Sequence, residues 1–373
     1  MKYVDEYRTA ERAQRLSSLL QSAIQFGRHY RFMEFCGGHT HALYRYGLHD
    51  LLPSSIEMVH GPGCPVCVLP VSRIAGAVDC AQRDDVILCT YGDLLRVPGK
   101  DGVSLLNARA HGANVKMVYS VLDALKLAKE HSDRTIVFFA VGFETTTPPT
   151  ASAILKAERE GVHNFLVFCN HVLTPPAVGH ILEAPEVRSI GTVDIDGFIG
   201  PGHVCVVIGS GPFEYFAEEF RKPVVIAGFE PLDVLKAIHM LVLQVNEQRA
   251  EVENEYTRGV RRDGNVTAQK MVAEVFELRQ SFEWRGLGSV PYSALRLKER
   301  YAQFDAEIRL NLKIEKVPEP KGCLCGSVLR GARKPLDCAL FGTACTPDHP
   351  VGSCMVSSEG ACAAYFMYGK HRD

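Results

Sequence analysis

Short apolar runs alternate with segments of helical spacing between about residue 31 and residue 230. The runs are rich in Val, Ile and Phe, and most end near Gly, Asn or Pro, which is typical of buried strands. We predict strands at Arg31–Phe35, Ile56–His60, Val86–Thr90, Val115–Tyr119, Thr135–Val141, Asn164–Cys169, Val204–Ile208 and Pro223–Ala227. Helices such as Val121–His131 and Pro148–Gly161 lie between them. Alternation of this kind predicts an α/β fold with two Rossmann-like parallel-sheet domains.

The pattern changes after Pro231. Three helices are predicted at Leu232–Ala250, Val266–Gln280 and Leu295–Leu310, the second with Asn265 as its N-cap. A Pro-rich linker follows, and the remaining residues are rich in Gly, Pro and Cys with little periodicity. We therefore divide the chain into α/β domains at 25–115 and 116–230. The third domain, at 231–373 and grouped with 1–24, is predicted to be mainly helical or irregular.

Composition and charge exclude several classes of function. The net charge of -2 and the sequence pI near 6.7 lack the basic character of a nucleic-acid binder. No window approaches the roughly 18 consecutive apolar residues of a membrane span, and the charged start of the chain lacks an apolar signal core. We expect a cytoplasmic protein that binds neither membrane nor nucleic acid. Its 13 cysteines then favour metal binding or catalysis over structural disulfides.

Six cysteines crowd into the C-terminal segment at Cys323, Cys325, Cys338, Cys345, Cys354 and Cys362. Thiolates are soft ligands that suit iron–sulfur clusters or zinc. Zinc sites usually use pairs separated by two to four residues, whereas the closest pair here is separated by one residue. The spacing favours a cluster over zinc or free thiols, and it leaves open which four of the six bind.

A second group of candidate residues follows the first predicted strand, in Phe35–His41. Cys36 stands where open α/β sheets place their ligands, at the carboxyl end of a strand. His39 and His41 offer a base, a proton donor or a metal ligand. The alternative is a tight turn with hydrogen-bonded histidines, but a cysteine, two glycines and two histidines together favour function.

Cys64 and Cys67 form a Cys-x-x-Cys pair after the next predicted strand, at the start of a predicted helix. This position lowers a thiol pKa, because the helix dipole stabilises the thiolate, and it supports disulfide exchange. The pair could instead be half of a zinc site, but no second pair lies nearby in the sequence. We expect redox or transient metal chemistry.

Other polar or thiol groups carry weaker signals. Asp93, Arg96 and Glu144 follow predicted strands and could belong to a site or to the scaffold. Thr147 precedes two prolines and is better explained as a helix cap. Four isolated cysteines in apolar surroundings are expected in the core: Cys80, Cys89, Cys169 and Cys205.

Several motifs together resemble one family. FCGGHTH at Phe35–His41, GPGCPVC at Gly61–Cys67, TYGDLLRVPG at Thr90–Gly99 and GFETT at Gly142–Thr146 resemble the HypD family of hydrogenase maturation proteins. The spacing Cys-x12-Cys-x6-Cys-x16-Cys, from Cys325 to Cys362, also matches that family. The resemblance covers almost the whole chain.

The resemblance implies cofactors and partners. Four cysteines would bind a 4Fe-4S cluster: Cys325, Cys338, Cys345 and Cys362. Cys36 would hold the iron of the Fe(CN)2CO group with a cysteine of a HypC-type small chaperone, while Cys64 and Cys67 would form a redox pair. A HypE-type partner would deliver cyanide as a protein-bound thiocyanate. The two α/β domains would flank a cleft, and we assign His39 a proton-donating or hydrogen-bonding role.

Two alternatives use the same residues. One is a cluster-dependent thiol–disulfide reductase resembling ferredoxin–thioredoxin reductase, and the other is a zinc-stabilised binding module. We favour a redox-active assembly scaffold over a conventional turnover enzyme.

Overall fold

The computed structural model describes residues 5–183 and 195–369. Its strands are β1 (Tyr30–Glu34), β2 (Ile56–His60), β3 (Val86–Thr90), β4 (Val115–Met117), β5 (Thr135–Gly142), β6 (Phe165–His171), β7 (Gly197–Pro201), β8 (Val224–Ala227), β9 (Val252–Asn254), β10 (Phe276–Leu278), β11 (Ser281–Trp284), β12 (Gly288–Pro291) and β13 (Leu295–Leu297). Within the described ranges, no helix is long and apolar enough to cross a membrane.

The helices connect and cover these strands. They are α1 (Ala10–Ala23), α2 (Gly37–Arg45), α3 (Pro65–Val68), α4 (Val71–Ala81), α5 (Leu105–Ala110), α6 (Val121–Glu130), α7 (Thr147–Glu160), α8 (Thr174–Glu183), α9 (Gly202–Ile208), α10 (Glu214–Phe220), α11 (Pro231–Asn246), α12 (Val266–Val275), α13 (Ala306–Arg309), α14 (Cys325–Leu329) and α15 (Ala361–Tyr368). Short 3-10 turns include Gly92–Arg96, Glu299–Phe304 and Ser353–Met355.

Two parallel sheets form the body of the molecule. The first has the order β2-β1-β7-β8-β9 and the second the order β4-β3-β5-β6, with every pairing parallel. Most of their residues are buried, as expected of strands covered on both faces. The predicted mixed α/β fold with parallel sheets is therefore confirmed.

The two sheets are interleaved along the chain. In the first sheet, β1 pairs with β2 on one side and with β7 on the other, so Phe32 lies opposite Gly197. In the second sheet, β3 pairs with both β4 and β5. Each sheet therefore contains strands from both sides of the predicted division near residue 115. The domain bounds themselves stay a prediction.

Each sheet is packed between helices. On the first sheet, Leu235, Ile238 and Leu241 of α11 pack with Phe32 of β1 and Leu20 of α1. On the second sheet, α6 and α7 cover one face and α4 with α5 the other. The four isolated cysteines are fully buried in these cores, as predicted: Cys80, Cys89, Cys169 and Cys205.

Some predicted elements are wrong. Val204–Ile208 lies in α9 rather than in a strand, and the strand of this region is β7. The predicted helix Leu295–Leu310 is instead β13, a 3-10 turn and the short helix α13. The predicted helix Val266–Gln280 ends at Val275, where β10 begins, although Asn265 caps it as expected by accepting from Ala268 N at 3.0 Å.

Candidate functional site

Cys36 lies at the carboxyl end of β1, at the N-cap of α2, and only 7% of it is exposed. The backbone N–H of Gly37 donates to Gly63 O at 2.8 Å, which joins the loop after β1 to the loop after β2. A Cβ at Gly63 would collide with the Cys36 backbone. Neighbouring parallel strands thus bring the two N-terminal cysteine motifs together.

Glu34 lies next to Cys36 and accepts hydrogen bonds from three residues of the site. Its fully buried carboxylate accepts from Cys36 N at 3.2 Å, from His60 Nδ1 at 2.6 Å and from the Thr40 hydroxyl. The other ring nitrogen of His60 lies 3.1 Å from the Tyr44 hydroxyl. Burial, assisted by the carboxylates of Glu359 and Glu34, raises the pKa of the Cys36 thiol well above its ordinary value. A cation at this sulfur would favour the thiolate.

Glu359 is a site residue that sequence analysis missed. It comes from the C-terminal segment, and a Cβ added to Gly37 would lie 2.5 Å from the Glu359 Cβ. Burial raises the pKa of Glu359, and the nearby carboxylates of Asp93 and Glu34 add to this. The structure therefore places unpredicted Glu359 beside Cys36, and predicted Asp93 near Glu359. In the sequence Glu359 is only an acidic residue between two cysteines, which gives no signal that it belongs to the site.

His39 is fully buried and stacks on Phe229, with 4.9 Å between ring centroids. Its Nε2 lies 3.2 Å from Ala227 O and 3.0 Å from Gly228 O. Because both partners are carbonyl oxygens, Nε2 must carry the proton. Nδ1 has no hydrogen-bond partner in the described part of the chain. Burial lowers the pKa of His39 to about 4, so the ring is neutral and Nδ1 is an acceptor.

Cys64 and Cys67 form a disulfide, with 5.2 Å between their Cα atoms. Cys64 is the N-cap of α3, and both residues are buried. The Ser353 hydroxyl donates to Cys67 O at 2.9 Å, and Cys67 Sγ lies 4.0 Å from Ser353 O. The pair therefore lies directly against the C-terminal cysteine segment.

Four of the C-terminal cysteines interact with one another, and one of them lies beside the same serine. Cys325 Sγ lies 2.7 Å from Cys354 Sγ and 3.5 Å from Ser353 Oγ. Cys354 also interacts with Cys362, and Cys323 with Cys325. These contacts include Cys323 and Cys354, which lie outside the family spacing, so the choice of four among six stays open.

Two further cysteines complete the segment. Cys345 Sγ accepts from Val351 N at 3.3 Å, and Cys338 Sγ lies 3.7 Å from Gly322 O. A Cβ on Gly352 would lie 2.6 Å from Cys323 Sγ, so glycine lets the backbone approach the thiols. In the described ranges, no three His, Cys, Asp or Glu side chains are already positioned to hold a metal ion. The donor type, six soft thiols in one segment, fits an iron–sulfur cluster.

Arg96 and Glu144 lie in structural contacts. Arg96 donates to Pro347 O and Val356 O, both at 3.1 Å, and so ties its turn to the cysteine segment. Glu144 accepts from the backbone N–H of Thr174 at 2.8 Å and from its hydroxyl at 2.9 Å, at the start of α8. Burial raises the pKa of Glu144 to about 7.

Two interleaved parallel sheets carry a free cysteine and a Cys-x-x-Cys disulfide at one edge, and a cysteine-rich segment covers that edge. These features define a cysteine-rich α/β protein. A family model named HypD and described as the Hydrogenase formation hypA family matches residues 11–369. The chain belongs to the HypD family.

Similar proteins cover the whole chain. The Hydrogenase maturation factor HypD of Cupriavidus necator is 61% identical over 100% of this chain and 98% of its own. The protein of the same name from Rhizobium leguminosarum bv. viciae is 60% identical over 100% of this chain and 97% of its own. That of Escherichia coli K12 is 46% identical over 99% and 98%. These names support a role in hydrogenase maturation.

Proposed function

We propose that the chain is the redox-active scaffold on which the Fe(CN)2CO group of NiFe-hydrogenase is assembled. The observation that supports this most is the convergence at one sheet edge. Cys36 and the Cys64–Cys67 disulfide follow adjacent strands, and Ser353 and Glu359 of the cysteine segment lie against them. One thiol can hold the iron while neighbouring thiols exchange electrons.

Cys36 is the iron-binding thiolate in this proposal. It is a buried thiol, and the resemblance to the HypD family implies that a cysteine of a HypC-type chaperone supplies the second sulfur ligand. Glu34 holds the backbone beside it, and the neutral ring of His39 offers Nδ1 as a hydrogen-bond acceptor. Burial and the nearby carboxylates of Asp93 and Glu34 raise the pKa of Glu359, and an iron cation at Cys36 would favour its ionised form.

In this proposal Cys64 and Cys67 alternate between a dithiol and a disulfide, and each change transfers two electrons. A HypE-type partner presents cyanide as a thiocyanate, R–S–CN. The reduced pair breaks the S–CN bond, releasing R–SH and HCN as the Cys64–Cys67 disulfide forms, so two electrons and two protons are balanced. A 4Fe-4S cluster held by Cys325, Cys338, Cys345 and Cys362 would supply single electrons to the pair. Contact of Cys67 with Ser353, beside Cys325 and Cys354, supports this route.

Infrared spectroscopy of anaerobically purified protein, co-expressed with its partners, tests the role of Cys36. Cys36→Ala should lose the cyanide and CO stretches and keep the absorbance and the roughly four irons of the cluster. The control is Cys80→Ala, which removes a buried thiol of α4 and should keep both signals.

Normal cyanide and CO stretches in Cys36→Ala would exclude it as the iron ligand. A brown wild-type protein without these stretches, even with partners present, would favour the thiol–disulfide reductase alternative. The names of the relatives give that alternative no support.

A further inference from the structure

Arg285 is a fully buried cation between β11 and β12 that the proposed mechanism has not used. Its backbone N–H donates to Val68 O at 2.8 Å, and its Nε donates to Leu69 O at 3.1 Å. Both acceptors directly follow Cys67 in the chain. The guanidinium is therefore fixed to the segment that carries the redox pair.

The outer end of this guanidinium lacks acceptors. Nη1 and Nη2 are buried and have no hydrogen-bond partner among residues 5–183 and 195–369. Glu319 Oε2 lies 3.5 Å from Nη1 without forming a hydrogen bond, and its own side chain is 47% exposed. Buried N–H groups of a charged side chain are costly when unpaired. Apart from this long ion pair with Glu319, the fold leaves both Nη groups of Arg285 without a hydrogen-bond acceptor.

The hairpin places these donors beside the cysteine segment. A Cβ added to Gly286 would lie 2.6 Å from Gly326 Cα, so the residues that follow Arg285 and Cys325 are in backbone contact. Arg330 of the turn after α14 reinforces this by donating to Gly286 O at 2.7 Å. Hydrogen bonds from Cys323 and Cys354 lower the pKa of the Cys325 thiol, and the positive charge of Arg285 lowers it further.

We propose that Arg285 tunes the iron–sulfur centre. Its buried guanidinium donates hydrogen bonds to sulfur atoms of the cluster and raises the reduction potential of the cluster. This inference rests on the proposed cluster in the cysteine segment. A cluster bound by four thiolates is anionic and gains one more negative charge on reduction. A fixed neighbouring cation stabilises the reduced form more than the oxidised form.

Redox titration of the anaerobically reconstituted full chain tests the proposal, followed by visible absorbance and electron paramagnetic resonance. Arg285→Gln should keep the iron and sulfide content and shift the midpoint potential to a more negative value. Arg285→Lys retains the charge, so its midpoint potential should lie close to that of the wild type. The control Arg296→Gln removes an exposed arginine of β13 that pairs with Glu277 outside the cysteine segment, and it should leave the potential unchanged.

Each outcome decides the inference. An unchanged potential in Arg285→Gln overturns it, and so does loss of the cluster from both Arg285 variants, because charge would then not be the property that matters. Loss of the cluster from Arg285→Gln alone, with retention in Arg285→Lys, supports it. A wild-type chain that binds no iron and sulfide would instead refute the cluster assignment itself.

Discussion

At the scale of single residues, burial of carboxyl groups makes the stability of the fold depend on pH. Glu144 and Glu255 each have a pKa raised to about 7, in both cases mainly by burial. Their hydrogen-bonded surroundings differ, since Glu144 accepts twice from Thr174 whereas Glu255 has one oxygen unpartnered in the described chain. Such groups stabilise the fold only while they remain protonated.

Glu144 gives a measurable case. The pKa of Glu144 is 4.5 in the unfolded chain and about 7 in the folded protein. Its stabilising contribution is therefore complete below pH 4.5 and is lost as the pH rises through 7. Relative to Glu144→Gln, the wild-type free energy of unfolding should fall by about 3 kcal/mol across that window. Urea denaturation at several pH values measures it.

The exposed Glu218→Gln is the control, and its stability should follow that of the wild type at every pH. If wild type and Glu144→Gln showed the same pH dependence, the burial of an ionisable carboxyl at this position would be contradicted.

Residue type explains which parts of the site could be predicted. Cys36, His39 and the Cys64–Cys67 pair carry chemistry in their side chains, so their placement after strands was visible in the sequence. Glu359 and Arg285 are ordinary charged residues, and only folding places them beside thiols. Contacts between residues more than 200 positions apart leave no local signal.

At the scale of elements, the β11–β12 hairpin contacts α14 through one glycine. Gly286 has φ of +84°, and a Cβ there would also lie 2.6 Å from Gly326 Cα. Gly286→Ala should therefore combine backbone strain of about 1–2 kcal/mol with a collision against a backbone that cannot yield. We expect a clear loss of thermal stability, monitored by fluorescence of the buried single tryptophan, Trp284.

Gly288 separates the two effects, because it has φ of +73° but no atom within 4 Å of an added Cβ. Gly288→Ala should show the strain alone. Equal losses in the two variants would mean that the contact between the hairpin and α14 contributes nothing.

Elements with one clear signal were predicted well, and ambiguous ones were not. Ile56–His60 and Val86–Thr90 are strands with the predicted bounds, because each is a compact apolar run. The apolar run Val204–Ile208 fits a strand or a buried helix equally well, and the sheet already had β7 in that region. Strand β7 contains two glycines and a proline, which are depleted in strands, so it was missed.

At the scale of the whole molecule, one largely buried ion network joins distant parts of the chain. Glu307 of α13 accepts from Arg73 of α4 at 2.7 Å and from Arg279. Arg73 also donates to Cys169 O at 3.0 Å and to Asn170, both in β6. The network thus fixes α4, the second sheet and the segment after β10 to one another.

Removing the anion should destabilise all of these parts together. Glu307→Gln would leave two arginine charges without compensation, one of them fully buried, and we expect a loss of about 3 kcal/mol in the free energy of unfolding. Urea denaturation measures this loss. The exposed Glu299→Gln should be neutral, and a neutral Glu307→Gln would show that the network does not stabilise the assembled fold.

The interleaving of the sheets had no signal in the sequence. Periodicity identifies strands, but neighbours are chosen by which faces pack, and β1 pairs with β7 across more than 160 residues. The repeated strand–helix pattern therefore indicated parallel sheets without indicating which strands share one.

The position of Ser353 and Glu359 also has a consequence for biosynthesis. Both residues are translated after all strands of the two sheets, yet they pack against Cys67 and Gly37 near the beginning of the fold. A ribosome therefore releases the three N-terminal thiols well before it makes the residues that cover them. During that interval Cys36, Cys64 and Cys67 lack this cover and are open to oxidation or reduction by the surrounding solution.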